Sequence, residues 1–346
     1  MKIHVISETP FLMKATGVHT AFMDHIELLK EKDDIEVVIN NEGTGDIFHG
    51  HTYGLYYLWK GRKYKGRRVF TAHVIPDSIK GSLPLWQLFM PFIRFGLKIV
   101  YSYADVCIAI SPMVEKAIKE TGARTNIVKI YNPVHIDTWK RTEQNRKTGR
   151  QMLGINEAEF VVLGVGQLTG RKGIDDFLDI AEEIPYVKFV WAGGRPFGGL
   201  TEGINRINER LIHSGKNFIN AGQIELDNMP LIYAAADLML FPSFQENCPL
   251  APIEAAACGM PVIYRDIEEY SSLYENPYLK AFNKEEFIIL TKRMIHDKNF
   301  YNEGLEISER LLTQFNKDII RTKLIDIYQG LLTHYQSTML ELSYLG

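Results

Sequence analysis

Two glutamates, Glu246 and Glu254, lie eight positions apart just after the apolar run DLMLF, with proline and glycine punctuating the segment FPSFQENCPLAPIEAAACGMPVI. A carboxylate accepts two hydroxyl hydrogen bonds at once, so a pair of them suits a polyhydroxylated ligand. Two glutamates at this spacing arise by chance about once in such a chain, so their place after a strand end carries the inference. Further upstream, VGQLTGRKGIDDF sets Arg171 and Lys172 at a glycine-rich turn that feeds a helix. Glycines admit a close backbone approach, and a helix N-terminus beside two cations favours an anion such as a diphosphate. Two solvated basic residues on an ordinary turn would give the same spelling. The GxxxxGK[ST] pattern of a nucleotide-triphosphate loop is absent. His49 and His51 share one face of a strand. Without a companion carboxylate or cysteine cluster, a structural or acceptor-side role is favoured over a metal site, and no metal is expected. Cys248 and Cys258 read as small buried fillers, with Cys248 near enough to Glu246 for its alkylation to inhibit. Tyr53, Tyr56 and Tyr57 line a groove or simply pack.

These residues need a scaffold, and the chain alternates β-branched runs with helical patterns, as parallel βαβ sheets do. Strands are predicted at KIHVI, IEVVI, DIFHG, RRVFTA, DVCIAI and NIVKI in the first half, with helices from about Val18, Leu83 and Pro112. A second series follows at FVVLGVG, VKFVWAGG, NFINAG, DLMLFP and MPVIY, with helices from about Lys172, Gly203, Asp227 and Pro249. Pro249 should open its helix, with Asn247 or Cys248 at the cap, which places Glu254 about two turns in. The tail from Lys284 reads as continuous helix. The expected fold is α/β, two doubly wound Rossmann-like domains, 1–145 and 146–317, divided in the polar stretch Asp137–Asn156. A terminal helix at about 318–346 can return to the first domain. Ligands of such sheets bind beyond the carboxyl ends of the strands, where Lys172 and Glu246 fall.

Composition excludes other classes. A chain of 346 residues with 46% hydrophobic and 23% charged residues is an ordinary folded protein, and a net charge of -3 does not suit nucleic acid. No secretory leader is visible at MKIHVISETP, and three cysteines without CxxC spacing fit a reducing cytosol. The apolar segment Leu83–Tyr103 is interrupted by Pro91, Arg94 and Lys98, against a membrane span. Gln87, Pro91, Arg94, Lys98 and Ser102 instead draw a narrow stripe on a helix bearing Trp86, Phe89, Phe92 and Phe95. Upstream, Lys60, Arg62, Lys63, Lys65, Arg67 and Arg68 form a basic run. Each cation near an anionic leaflet contributes on the order of 1 kcal/mol, so this half suits a peripheral position on a membrane surface. A buried helix beside a solvated loop is the plainer alternative.

The segment around Glu246 and Glu254 resembles the E-x7-E motif of retaining GT-B glycosyltransferases of family 4, PSxxEGFGLxxxEAMAxGxPVI. GVHT from Gly17, TAH ending at His73, AISPMVEKAIKE, IYNPVHIDTW, VGQLTGRKG and WAGGRP resemble the family's other motifs in order, over nearly the whole chain. The resemblance implies a nucleotide-sugar donor whose diphosphate meets Lys172 and a backbone amide of Gly17. It implies ribose at Glu254, the transferred sugar at Glu246 with backbone amides from Asn247 through Cys248 to Leu250, and His73 beneath the sugar. It further implies a metal-independent, retaining hexosyltransferase with no cofactor and no general-base carboxylate. Two departures stand out. Gln167 replaces the arginine of G-R-x4-K, leaving Arg171 as second cation, and ENCPL replaces EGFGL, where Pro249 lacks an amide.

HVIPDSIKGSL, from His73, is similar to a pattern of glycolipid synthases that extend glucosyl-diacylglycerol. The resemblance therefore implies UDP-glucose or UDP-galactose as donor substrate and a lipid or glycolipid acceptor at the inner face of the membrane. The membrane contacts would come from Trp86, Phe89, Arg94, Lys98, Lys63, Lys65 and Arg67. A family member that builds surface polysaccharide on another acceptor, a non-catalytic sugar-binding protein, and an epimerase or phosphorylase of the same fold are the alternatives.

Overall fold

The computed structural model describes residues 1–12, 17–79, 86–195, 204–275 and 277–344. The chain divides into two compact units, one of Met1–Asp77, Phe89–Pro133 and Phe315–Gly346, the other of Ser78–Leu88 and Val134–Gln314.

The first unit holds strands β1 (Lys2–Ile6), β2 (Glu36–Ile39), β3 (Ile47–His51), β4 (Arg67–Ala72), β5 (Val106–Ala109) and β6 (Asn126–Lys129). They form a parallel sheet of order β2-β1-β3-β4-β5-β6. The second holds β7 (Val161–Val165), β8 (Lys188–Ala192), β9 (Phe218–Gly222), β10 (Leu238–Phe241), β11 (Val262–Arg265) and β12 (Leu279–Ala281). Its parallel order is β12-β11-β10-β7-β8-β9. The α/β fold of two doubly wound sheets is thus observed. Central strands such as β10 are buried along their whole length, which is why they spell uninterrupted apolar runs.

In the second sheet the direction of winding reverses between the neighbours β7 and β10, with Leu238 opposite Val162 and Met239 opposite Leu163. In the first it reverses between β1 and β3. The loops leaving the strands at a reversal diverge to opposite faces of the sheet and leave a crevice at the carboxyl edge.

The polar stretch Asp137–Asn156 is not a linker. It carries a helix, Glu143–Leu153, capped by the Thr142 hydroxyl on Asn145 N at 3.1 Å and closed by Gly154 in the left-handed region. Its arginines read as solvated, yet they converge on Asp237 below β10. Arg141, Arg146 and Arg150 reach that carboxylate at 2.6, 2.9 and 2.9 Å, and Val161 N donates to it at 3.0 Å. A Cβ at Gly149 would lie 2.0 Å from Leu231 O, so glycine lets the helix settle on its neighbour. The division consequently falls at Pro133, before this helix.

The tail is not continuous either. Helices Lys284–His296 and Lys298–Leu312 meet at Asp297, whose carboxylate caps the second by accepting from Asn299 N and Phe300 N, each at 3.0 Å. A last helix, Lys317–Tyr344, belongs to the first unit. Ile320, Leu324 and Tyr328, spaced one turn apart, are its buried stripe. Helices Leu55–Gly61 and Glu268–Leu273 and the edge strand β12 are further elements.

Candidate active site

The crevice of the second sheet receives the loops that follow β7 and β10. The first tightens into a single turn, Gly170–Lys172, and Gly173 then starts the helix Ile174–Glu183 with φ of +76°. A Cβ at Gly173 would stand 2.3 Å from Pro242 O, so both the left-handed backbone and the close approach of the second loop require glycine. Phe244 N donates to Arg171 O at 2.8 Å, stitching the loops together.

That contact delivers Lys172 to Glu246, and the two form an ion pair whose side chains are 16% and 8% exposed. The Ser243 hydroxyl donates to the same Glu246 oxygen at 2.7 Å. Burial alone would raise the pKa of Glu246, but Lys172, Arg171 and Ser243 outweigh it and hold the carboxyl below its ordinary range. Burial also lowers the pKa of Lys172, against the attraction of Glu246. Arg171 donates to Gln245 O at 2.8 Å and Gln245 Oε1 at 3.1 Å. Asn247 accepts from the Gln245 side chain at 3.0 Å, and Cys248 and Leu250 are buried behind it.

Glu254 stands on the same segment in a different environment. The helix opens at Ala251, with Pro252 rather than Pro249 in its first turn and Leu250 at the cap without a side-chain bond. Glu254 is therefore in the first turn, not two turns in. Tyr233 donates its hydroxyl to Glu254 at 2.6 Å, yet burial prevails and pushes the carboxyl up to about 7. One motif thus holds an ionised, cation-paired carboxylate and another that titrates near neutrality. Sequence reasoning misses Ser243 and Tyr233. Ser243 lies inside the motif itself, whereas nothing local to Tyr233 marks it.

The first unit carries the remaining expected residues. Gly17 begins the helix Gly17–Lys30 in an exposed position where a Cβ would meet nothing, so packing does not demand glycine there. His73 leaves β4 into a cluster of buried imidazoles. Its Nε2 lies 3.1 Å from His51 Nδ1, and His49 binds Thr71 Oγ1 at 2.7 Å and the Tyr328 hydroxyl at 2.6 Å. Ring nitrogens of His25, His49 and His51 come within 4.8 Å of one another, but both of those on His49 are already engaged. Burial lowers the pKa of all four, His25 to about 3 and His73 to about 4, so the cluster is neutral near pH 7. A small cavity lined by His25, His51, Thr71, His73 and Asn132 adjoins it. Ser7 and Thr52 meet at 2.7 Å in the β1–β3 crevice.

On the helix Trp86–Ser102, Phe89, Phe92, Arg94, Phe95 and Lys98 are exposed, while Leu97, Val100 and Tyr101 are buried. All of KGSL, Lys80–Leu83, lies outside the described residues. Lys63 and Lys65 are exposed, but Arg67 is not a free cation: it reaches Asp105 at 3.4 Å. Among the described residues no helix is long and apolar enough to cross a membrane.

Two doubly wound sheets, the second with a buried cation–carboxylate pair at its winding reversal, are the architecture of a GT-B glycosyltransferase. Residues 36–138 match the model of Glycosyltransferase Family 4, and residues 145–303 that of Glycosyl transferases group 1. The chain is 32% identical over 292 residues to the α-galactosylglucosyldiacylglycerol synthase of Streptococcus pneumoniae, covering 83% of this chain and 78% of that protein. It is 27% identical over 302 residues to the processive diacylglycerol α-glucosyltransferase of Acholeplasma laidlawii, covering 86% and 89%. The fold matches sucrose-phosphate synthase from Thermosynechococcus elongatus with a TM-score of 0.79 at 17% identity, over 96% and 99% of the two chains. It also matches Anabaena HepE in complex with UDP and glucose, at 0.75 and 18%, over 95% and 100%. The chain belongs to family 4 of the glycosyltransferases and is a glycosyl-transfer enzyme.

Proposed function

We propose that this enzyme moves a hexose, glucose or galactose, from its UDP conjugate to a diacylglycerol-type glycolipid, with retention at the anomeric carbon. The observation that carries the donor half is the meeting of Lys172 with Glu246 at the β7–β10 reversal. A cation placed there neutralises a pyrophosphate, and the neighbouring carboxylate takes sugar hydroxyls once the donor draws Lys172 away. Arg171 supplies the second positive charge, Glu254 holds the ribose, and the backbone from Asn247 through Cys248 to Leu250 lines the sugar. Lysine, arginine and peptide dipoles stabilise the leaving group in the place a metal ion would otherwise take. The first unit serves the acceptor, and within it His73 acts on the sugar during transfer while Gly17 offers a backbone amide to the donor.

The acceptor class is supported by what the S. pneumoniae and A. laidlawii relatives are named for. It is supported too by the exposed face of Phe89, Phe92, Arg94, Phe95 and Lys98, which suits the anionic inner surface of a cytoplasmic membrane. Lys63 and Lys65 add charge. The test is transfer of radiolabel from UDP-glucose or UDP-galactose into vesicles containing diacylglycerol or glucosyl-diacylglycerol. Label in the organic phase, with an α-anomeric proton in the product, supports the reading. Donor turnover confined to water-soluble acceptors would point to a surface polysaccharide or another glycan and overturn it.

A further inference from the structure

We propose that His51 is a positioning residue for His73, fixing which of its ring nitrogens carries the proton, and that Tyr328 anchors the arrangement from the C-terminal helix. The proposal rests on the role given to His73 above. His51 Nδ1 lies 3.1 Å from His73 Nε2, with the rings 20° from parallel and their centres 5.3 Å apart. The other nitrogen of His51, Nε2, is buried and meets no polar partner. A stranded N–H is rarer and costlier than a stranded lone pair, so the proton of neutral His51 belongs on Nδ1. His51 then donates to His73 Nε2, which leaves the proton of His73 on Nδ1.

His51 has little freedom to do otherwise. His49 stacks on it at 4.5 Å and 25°, while His25 and Phe22 meet it edge-on at 4.6 and 5.4 Å. His49 is in turn pinned by Thr71 and by the Tyr328 hydroxyl, which also lies 3.2 Å from His25 Nε2. One hydroxyl can donate to one of these histidines and accept from the other. A residue of the last helix therefore reaches the reacting histidine through two stacked rings, although it lies far from it in sequence.

Asparagine is the discriminating substitution, because its side-chain amide can stand where Nδ1 stood. We expect His51→Leu to lower kcat at least tenfold with the donor KM within twofold, and His51→Asn to restore most of the loss. Tyr328→Phe should lower kcat about threefold with the same unchanged KM. Nitrogen-15 spectra should show His73 as the Nδ1–H tautomer in the wild type and in His51→Asn, and as a mixture in His51→Leu. A folded His51→Leu enzyme with wild-type kcat, or an Asn variant as impaired as the Leu one, would overturn the proposal while His73→Ala remains impaired. Wild-type kcat in His73→Ala would instead remove the role of His73, and the spectra would then decide the positioning alone.

Discussion

Replacing Lys172 by methionine keeps the aliphatic stem that packs against the loop and removes only the charge. Glu246, 8% exposed, then loses its ion-pair partner but keeps the 2.7 Å bond from Ser243. Breaking a buried pair costs about 3–5 kcal/mol, and the surviving hydrogen bond and nearby Arg171 place this case at the low end, about 3 kcal/mol. Replacing the pair together, Lys172→Met with Glu246→Leu, should recover stability to within about 1 kcal/mol, since a desolvated pair and an apolar pair of similar size are nearly equivalent. Binding should not recover. A charge-assisted contact to a diphosphate is worth about 1.5–3 kcal/mol, so both variants should hold UDP roughly 10- to 150-fold more weakly.

Urea unfolding gives the first quantity and titration calorimetry with UDP the second. The two read-outs separate a pair that merely holds two loops together from one that grips a ligand. A Lys172→Met protein as stable as the wild type, binding UDP equally well, would show that Lys172 does neither.

The carboxylates of one motif should titrate in opposite senses. Glu246 is held below its ordinary range, so it stabilises the fold above its unfolded pKa, an effect lost as pH falls through its folded value. Glu254, raised from 4.5 to about 7, favours the folded protein at low pH and loses that advantage as pH rises between those values. Glu254→Gln should therefore gain on the wild type by on the order of 3 kcal/mol between pH 4 and pH 8 in urea unfolding. Gly173→Ala combines a positive φ with a 2.3 Å collision and should cost about 1–3 kcal/mol, lowering Tm and weakening UDP binding by displacing Lys172. Arg94→Glu with Lys98→Glu should weaken sedimentation with anionic vesicles at least tenfold while hydrolysis of UDP-glucose in the absence of lipid is unchanged.

The parallel strands were legible because a strand covered on both faces has no alternation to hide it, and β4 coincides with the run RRVFTA from end to end. The loops after β7 and β10 were legible because their glycines, cations and carboxylates sit within a few residues of strand ends. What escaped was settled by distant contacts. The stretch holding the helix Glu143–Leu153 reads as a linker because it is polar and charged, and what makes buried Arg150 tolerable there is Asp237, far along the chain, with the carbonyls of Ala235, Asn156, Glu157 and Glu159. The break at Asp297 looks like helix until the aspartate is seen capping the helix Lys298–Leu312. Tyr233 and Tyr328 act through one hydroxyl each, on helices whose patterns report only packing. Arg67 reads as a surface cation because Asp105, its partner across neighbouring strands, is invisible from local sequence.

The two crevices differ in their electrostatics as much as in their strand order. That of the second sheet holds formal charge: Lys172 and Arg171 beside Glu246, whose carboxyl these cations hold below its ordinary range against burial. If Glu246 turned to another partner, Lys172 would be left a buried cation short of an anion, a deficit a charged ligand would fill. The corresponding end of the first sheet holds hydroxyls and imidazoles that burial keeps neutral. Neutral imidazoles do not attract a pyrophosphate, but they polarise and orient groups without repelling charge that develops during reaction. Protonating His51 would place a cation beside three neutral imidazoles, those of His25, His49 and His73, at ring distances of 4.5–5.3 Å. Burial therefore confines the stack to choosing tautomers rather than charges near pH 7.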